Sequence, residues 1–326
     1  MAKDYKDGLP QVLIDYFNYL AVIHNTSKNT LVGYATDLRL FVKFLYKYKL
    51  EKFASTEISD IDISDCDADF LGKVSLNDTY EFLVFCKDER NNGAAARNRK
   101  ATSIRRLYNY LYNIKNLIPS NPLENLDSAK QKSSLPVYLT LEQSRALLNS
   151  CEGKYRPRDY AILTLFLNCG MRLSELVSLN LTDIRSDNTM RVTGKGNKER
   201  TIYLNKSCVA AISDYLKYRP VDGVIDKNAL FLSNRLTRIN KRQVERIVDK
   251  CLERAGLAGQ GFSTHKLRHT AATLMYQYGD VDVLLLKEIL GHESTSTTEI
   301  YTHILNDQLK AAVDSNPLNT DNDIKD

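Results

Sequence analysis

The apolar residues in the first third of the chain recur at intervals of three and four positions, a spacing that places them on one face of an α-helix. One such run extends from Leu9 to Leu20, and a second from Leu31 to Leu45 follows Ser27, a candidate N-cap. The residues expected to face inward are Leu9, Val12, Leu13, Tyr16, Phe17 and Leu20 in the first helix and Leu31, Tyr34, Leu38, Phe41, Val42 and Leu45 in the second.

Two further helices follow in the same part of the chain. Ser75 and Asp78 have the spacing of a capping box, and the helix that they begin is expected to turn Tyr80, Leu83 and Val84 inward. A fourth helix is predicted over about residues 94–116, whereas the acidic, poorly periodic segment 51–73 favours a loop with room for a short helix. Four amphipathic helices with short connections predict a helical bundle over residues 1–118.

The pattern changes after this bundle. Three prolines around the polar stretch 127–134 predict a linker over residues 119–137, and Thr140 with Gln143 then begins a helix with a capping box. Alternation over 189–204, with a turn at 194–197, predicts a β-hairpin, and 229–232 is a candidate short strand. The predicted fold is therefore mainly α with a small β-sheet: an N-terminal bundle, a mixed C-terminal domain over 138–313, and a flexible acidic tail over 314–326.

Composition and charge narrow the possible classes. The chain has 326 residues, enough for two domains, and a net charge of +5, which permits a polyanionic partner without requiring one. Its six cysteines form no CxxC pair, and no apolar run resembles a secretory signal or a membrane span. Reduced thiols in a cytoplasmic protein that does not bind membranes are the simplest expectation.

Candidate chemistry begins at Gly170, a residue suited to end the apolar helix before it in a left-handed conformation. Arg172 would then lie at the start of the next helix, where backbone N–H groups attract anions and a guanidinium group fits two phosphate oxygens. Glu175, one turn later, could orient this arginine. An ordinary surface ion pair between Arg172 and Glu175 is the alternative interpretation.

The other candidates lie further along the chain. Lys195 is placed at the tip of the hairpin, where it could protonate a leaving oxygen or simply be solvated. His265 and Arg268 share one face of a helix capped by Ser263 or Thr264, and His269 lies on the face of His265. Two histidines at this spacing can bind zinc, but the glutamate of a zincin is replaced here by Lys266.

His292, after Gly291, and Tyr301 complete the set. Together with the arginines they could hold a phosphate, move a proton and supply an oxygen nucleophile, a chemistry that needs neither a metal nor a nucleotide cofactor. Each residue alone has an ordinary structural explanation, whereas the joint arrangement does not. The predicted target is a phosphodiester in DNA.

These motifs resemble those of the tyrosine site-specific recombinases, closest to the Xer group, over about residues 9–313. The segment 170–176 (GMRLSEL) is similar to the first arginine box of the family, and 194–200 (GKGNKER) to its catalytic hairpin. The segment 265–269 (HKLRH) is similar to the second box, and 290–292 (LGH) and 297–303 (TTEIYTH) to the last. All six catalytic positions carry the expected residue type.

The resemblance implies a role for each of these residues. Tyr301 would attack the scissile phosphate and form a 3′-phosphotyrosyl bond. Arg172 and Arg268 would bind the non-bridging oxygens, and Lys195 would protonate the departing 5′ oxygen. His265 would accept the proton of Tyr301, and His292 would donate a hydrogen bond to the phosphate.

The resemblance also implies an architecture and partners. The bundle would be a SAM-like core-binding domain that clamps double-stranded DNA together with the catalytic domain. Leu305, Leu309 and Val313 would pack on a neighbouring subunit in a tetramer, formed with itself or with a paralogue, that exchanges strands through a Holliday junction. The basic residues expected to contact DNA phosphates are Arg97, Arg99, Lys100, Arg105, Arg106, Arg235, Arg238, Lys241 and Arg242.

Several functions remain open at this level. Because the bundle begins close to Met1, we expect no separate arm-binding domain, which favours Xer-like dimer resolution, with or without an activating DNA translocase. The alternatives are a recombinase of a mobile element or an inversion system, a type IB topoisomerase-like enzyme, a non-catalytic DNA-binding protein, and a metal enzyme that uses His265 and His269.

Overall fold

A computed structural model describes residues 4–50, 53–127, 129, 137–194, 199–279 and 283–290. The chain divides into two compact units, Met1–Ser133 and Ser134–Asp326. Helices dominate both units, and the strands found in the described residues form one two-stranded sheet. The predicted class, mainly α with a small β-sheet, is confirmed.

The N-terminal unit is a bundle of helices around an aromatic core. Its elements are α1 (Gln11–Val22), α2 (Lys28–Lys49), the short α3 (Ala68–Gly72), α4 (Leu76–Asp88) and α5 (Ala94–Asn109), which continues as a π-helical turn (Tyr110–Ile114). Ser27 caps α2 by accepting a hydrogen bond from the backbone N–H of Thr30, and Ser75 forms the predicted capping box with Asp78. Local capping signals therefore placed these helix starts correctly.

The predicted inward faces are confirmed for α1 and α2, where every expected residue except the partly buried Val12 is buried. The face predicted for α4 is confirmed only for Leu83, which is partly buried against the core. Tyr80 and Val84 are exposed, and Phe82 and Phe85 are buried instead, where they pack against Phe44 of α2. Phenylalanine rings bury more apolar area than valine, so they decided which side of α4 faces the core.

The predicted linker begins too early. Leu123 and Leu126 are buried in the core of the N-terminal unit, and the guanidinium group of Arg105 donates a hydrogen bond to the carbonyl of Leu126. The chain therefore continues to pack on the bundle well beyond residue 119, and residues 130–136 lie outside the described part.

The C-terminal unit contains α6 (Leu141–Asn149), α7 (Arg156–Cys169), α8 (Leu173–Ser178), the strands β1 (Thr189–Thr193) and β2 (Glu199–Tyr203), α9 (Lys206–Tyr218), α10 (Lys241–Arg254), α11 (Thr264–Tyr278) and α12 (Val283–Leu290). The strands pair antiparallel with Met190 opposite Ile202, as the alternation predicts. Residues 229–232 form only isolated bridges, at Ala229 with Asn180 and at Leu232 with Arg238, rather than the predicted strand.

Helix α7 is the centre of this unit. It packs against α9 on one side and α11 on the other, and its apolar residues from Ala161 to Leu167 are buried around the whole helix. A helix that is apolar on every side must be covered on every side. Helix α11, which carries His265 and Arg268, therefore packs directly on α7.

All six cysteines are buried and free. In the part of the chain that the structure describes, no helix is both long enough and apolar enough to cross a membrane.

The corrected face of α4 gives a stability prediction. Replacing the fully buried Phe82 (Phe82→Ala) should lower the free energy of unfolding by about 3–5 kcal/mol, because it removes an aromatic ring from the core and leaves a cavity. Val84→Ala, two residues away on the same helix and 55% exposed, is the matched control and should change it by less than about 0.5 kcal/mol. Urea unfolding measures both, and equal losses would contradict the assigned face.

Candidate active site

Gly170 ends α7 in the left-handed conformation that the sequence predicts, with φ 58° and ψ 35°. The chain then turns so that Arg172 caps the N-terminus of α8. The backbone N–H of Arg172 donates to Glu175 Oε2 at 2.9 Å, and Arg172 Nη1 donates to Oε1 at 2.9 Å. Glu175 therefore orients Arg172, as expected from the sequence.

Glu175 also binds a second arginine, Arg200, which the sequence analysis did not single out. Arg200 Nη1 and Nη2, on β2, lie 2.6 and 3.1 Å from Glu175 Oε1 and Oε2. Burial of Glu175, which is 1% exposed, acts to raise its pKa, but the hydrogen bonds from Arg200 and Arg172 outweigh burial and lower it. An ionised, buried carboxylate thus joins the start of α8 to the hairpin strand beside residues 195–198.

Arg268 approaches the same turn from α11, which begins where Ser263 accepts a hydrogen bond from the backbone N–H of Lys266. The guanidinium group of Arg268 is buried, and its Nη1 donates to the carbonyl of Gly170 at 2.6 Å. Its Nη2 donates to the carbonyl of Leu290, at the end of α12, also at 2.6 Å. One guanidinium group therefore holds together the ends of α7 and α12.

The turn at Gly170 has no space for a side chain. A Cβ placed on Gly170 would lie 2.6 Å from Cδ2 of Leu290 and 3.6 Å from the Cβ of Ala271 on α11. Glycine is therefore favoured at this position for two reasons: the positive φ and the close approach of α11 and α12.

His265 and His269 lie one turn apart on α11 with their rings in contact. Their Nε2 atoms are 3.0 Å apart, and the ring planes are nearly perpendicular, at 87°. Burial lowers the pKa of His265, and the charges of Arg268, Lys266 and Arg172 lower it further. Burial and the charge of His265 lower the pKa of His269 to about 4. Both rings are neutral near pH 7.

Three predicted catalytic residues thus come together. Arg172 and Arg268 are far apart in sequence, but Arg172 follows the turn at Gly170 and Arg268 donates a hydrogen bond to the carbonyl of Gly170. The charges of both arginines act on His265. Lys195, His292 and Tyr301 lie outside the described residues, so their placement stays a prediction. So does the helix expected to carry Leu305, Leu309 and Val313.

The basic residues predicted on α5 have different environments. Lys100 is 7% exposed and donates a hydrogen bond to the buried carboxylate of Asp37, which also pairs with Arg99. The charge of Lys100 thus offsets a buried carboxylate 63 residues away, and its contact with DNA stays a prediction. Arg97 and Arg105 donate to backbone carbonyls, and the exposed Arg106 lies over the ring of Tyr34.

Arg238 is also mainly structural. It pairs with Asp226 and donates to the carbonyl of Leu179 and to Asn180 Oδ1, which fixes the loop before α10 against the end of α8. Arg235, Lys241 and Arg242 are exposed, and their contacts with DNA stay a prediction. Arg235 and Arg242 line one cleft with Arg246, a residue that the sequence analysis did not include.

The metal alternative would use His265 and His269 as ligands. Within the described ranges, no group of three or more histidine, cysteine, aspartate or glutamate residues is arranged to hold a metal ion. The His265–His269 contact is instead a hydrogen bond between two rings.

Comparison with known proteins identifies the family. A family model described as "Phage integrase family" matches residues 137–308, and one described as "Phage integrase, N-terminal SAM-like domain" matches residues 13–115. The chain is 52% identical to "Tyrosine recombinase XerC" of Caldanaerobacter subterraneus subsp. tengcongensis over 309 residues, which cover 95% of this chain and 87% of that protein. The chain belongs to the phage integrase family of tyrosine recombinases. It is also 34% identical to "Tyrosine recombinase XerD" of Rickettsia conorii, over 90% of this chain and 94% of that protein.

Solved structures share the fold of the recombinase. XerH bound to its difH substrate, in a pre-cleavage complex, covers 97% of this chain and 85% of its own with a TM-score of 0.68 and 24% identity. The Tn1549 transposon integrase, in complex with transposon right end DNA, covers 93% of this chain and 98% of its own with a TM-score of 0.70 and 20% identity. The predicted family, Xer-like site-specific recombination and enzyme class are confirmed.

Substitution of Gly170 tests the turn that joins the two arginines. Gly170→Ala should lower the free energy of unfolding by about 1–3 kcal/mol, because alanine is strained at this φ and its Cβ would overlap Leu290. Gly153→Ala is the control: its φ is also positive, at 79°, but nothing lies within 4 Å of an added Cβ. Thermal and urea unfolding measure the difference, and an equal loss in both variants would show that packing around Gly170 contributes nothing.

The lowered histidine pKa values predict acid sensitivity. Between about pH 6.5 and pH 4 the unfolded chain binds protons at His269 that the folded chain does not, so stability falls as the pH falls through this window. In His269→Asn this contribution is absent, and Tm should decrease less between pH 7 and pH 5 than in the unsubstituted protein. Calorimetry at both pH values measures this difference. An identical decrease would contradict the lowered pKa.

Proposed function

We propose that this recombinase cuts and rejoins DNA at a specific site through a 3′-phosphotyrosyl bond to Tyr301, with Arg172 and Arg268 holding the scissile phosphate. The observation that carries this proposal is the meeting of both arginines at the Gly170 turn, with the charges of both acting on His265. Residues almost a hundred positions apart are brought together by two helices that share no local sequence signal. Such convergence is typical of a catalytic site.

The arginines would stabilise the transition state. Positive charge and N–H donors that are already in place offset the negative charge that develops on the phosphate oxygens. Glu175 supports this preorganisation, because it binds both the backbone N–H and the guanidinium group of Arg172, and Arg200 in turn holds Glu175 in place. The carbonyls of Gly170 and Leu290 fix Arg268 in the same way.

Proton transfer would involve two further groups. A tyrosine has an ordinary pKa of about 10, so attack near neutral pH requires a base or strongly cationic surroundings. In the proposal, neutral His265 accepts the proton of Tyr301 while its oxygen attacks phosphorus. Lys195 gives a proton to the departing 5′ oxygen, and His292 donates a hydrogen bond to the phosphate. The phosphotyrosyl bond keeps the energy of the broken phosphodiester, so rejoining requires no ATP.

The proposed partner is double-stranded DNA with a specific recombination site, in the cytoplasm. XerH is described in complex with difH, and the XerC and XerD relatives support the same kind of substrate here. Arg235, Arg242 and the added Arg246 are the proposed phosphate contacts of the cleft beside α10. The helix after Tyr301 would join four subunits on paired sites. The tetramer would contain copies of this chain alone or of this chain and a paralogue, and it would resolve chromosome dimers.

Covalent capture tests the nucleophile. The purified full-length chain, incubated with sheared genomic DNA of its source, should form adducts that survive detergent, and sequencing their ends should identify one site. Tyr301→Phe should abolish these adducts and leave binding of the captured duplex within about twofold, because only the phenolic oxygen is lost.

Tyr278→Phe is the matched control. This tyrosine at the end of α11 is 68% exposed and lies outside the proposed chemistry, so the variant should form adducts as the unsubstituted chain does. Adducts that persist in Tyr301→Phe would overturn the assignment of the nucleophile. A failure of the unsubstituted chain to form any adduct would overturn the proposed chemistry as a whole.

A further inference from the structure

The contact between His265 and His269 constrains the proton positions on both rings. An Nε2–Nε2 separation of 3.0 Å is a hydrogen-bond distance, and a bond between two ring nitrogens requires one to carry the hydrogen and the other to accept it. A neutral imidazole carries one N–H, so the choice made at Nε2 fixes the state of Nδ1 on the same ring. The neighbour therefore determines what His265 can do for the reaction.

Only one of the two arrangements suits a proton acceptor. If His265 donates its Nε2–H to His269, the Nδ1 atom of His265 has a lone pair and can take a proton. If His269 donates instead, Nε2 of His265 is occupied as an acceptor and its Nδ1 carries the hydrogen. The second arrangement would make His265 a hydrogen-bond donor and not a base.

We propose that His269 is a positioning residue for His265: it accepts the Nε2–H of His265 and thereby leaves Nδ1 to receive the proton of Tyr301. This inference rests on the proposed function of His265 as the base. When the proton arrives at Nδ1, His265 becomes an imidazolium ion whose Nε2–H stays hydrogen-bonded to His269. The phenolic O–H bond is broken, the Nδ1–H bond is formed, and the oxygen keeps the electron pair with which it attacks phosphorus.

The charges around the pair explain why a neutral acceptor is suited to this position. Arg268, Lys266 and Arg172 all act on His265 and oppose its protonation, so a cation at position 269 would oppose it further. Burial, followed by the charges of His265, Lys266 and Arg268, lowers the pKa of His269 to about 4, and it therefore offers a lone pair without a charge near neutral pH. A carboxylate would stabilise the imidazolium ion more strongly, but it would also pair with the arginines that are needed for the phosphate.

The contact between His265 and His269 depends on their spacing along the helix. His265 and His269 are four residues apart on α11, so the helix itself brings the rings together and fixes their mutual orientation. Arg268, on the buried side of the same helix, is directed to Gly170 and Leu290. In the proposal, Arg268 on one side of α11 binds the phosphate, and His269 on another side orients His265.

A double-mutant cycle tests the proposal by single-turnover cleavage of a nicked duplex that carries the captured site. His265→Ala should slow formation of the covalent adduct by roughly 10²–10⁴, the usual effect of losing a general base. His269→Ala should slow it by about 3- to 10-fold, because one hydrogen bond that orients the base is lost. The double variant should be no slower than His265→Ala alone, since His269 acts only through His265.

Two further variants separate orientation from folding. His269→Gln has an amide oxygen that can accept the Nε2–H of His265, and it should restore at least part of the rate lost in His269→Ala. Gln277→Ala, at an exposed position on the same helix, should cleave at the unsubstituted rate. Affinity for the duplex should be the same in all of these proteins, because His269 is not proposed to contact DNA.

The possible outcomes discriminate between the two proposals. Two outcomes would overturn the role of His269 and leave that of His265 intact. In one, the fold loss of the double variant equals the product of the two single losses, and in the other, His269→Ala cleaves at the rate of the unsubstituted chain. A His265→Ala rate equal to that of the unsubstituted chain would instead overturn the proposed base.

Nitrogen-15 NMR of the histidine rings tests the proton positions without any activity. We expect the Nε2–H tautomer for His265 and the Nδ1–H tautomer for His269 at pH 7, with signals assigned through the His265→Ala and His269→Gln variants. His24, in the N-terminal unit, is the internal reference. An Nε2–H tautomer at His269 would overturn the proposal.

Discussion

The left-handed turn at Gly170 is the constraint on which the catalytic unit depends. It ends the buried helix α7, begins the path to Arg172, and presents its carbonyl to Arg268. A Cβ at this position would require the side chain of Leu290 to move, so three helices meet closely at one backbone position. The hydrogen bond from Arg268 to the carbonyl of Gly170 therefore joins α11 to the turn that leads to Arg172.

Concentrated positive charge would be unfavourable here without compensation. The buried carboxylate of Glu175 offsets Arg172 and Arg200, while two backbone carbonyls bind Arg268 without cancelling its charge. The remaining cationic field opposes protonation of His265 and keeps it in the neutral form that accepts a proton. The interactions that fix the arginines therefore also keep His265 neutral, as expected of a preorganised site.

The errors of the sequence-based predictions have a common origin. Phe44 on α2 determines that Phe82 and Phe85 of α4 face the core, and Asp37, 63 residues away, binds Lys100, a residue predicted to contact DNA. Arg238 was predicted to contact DNA and Arg200 was not singled out, yet each binds acidic or polar partners on another element. In every case the deciding partner is distant in sequence, so no local periodicity or spacing contains it.

The sequence by itself determined the helix starts, the hairpin, the mainly helical class and the family, because capping, alternation and motif spacing act over a few residues. It also supplied Arg172, His265 and Arg268 as candidates. Only the tertiary structure decided that these three share one turn, that Glu175 binds two arginines, and that His269 bonds to His265. Those relations arise from packing around α7, and packing depends on the three-dimensional neighbours of a residue and not on its position along the chain.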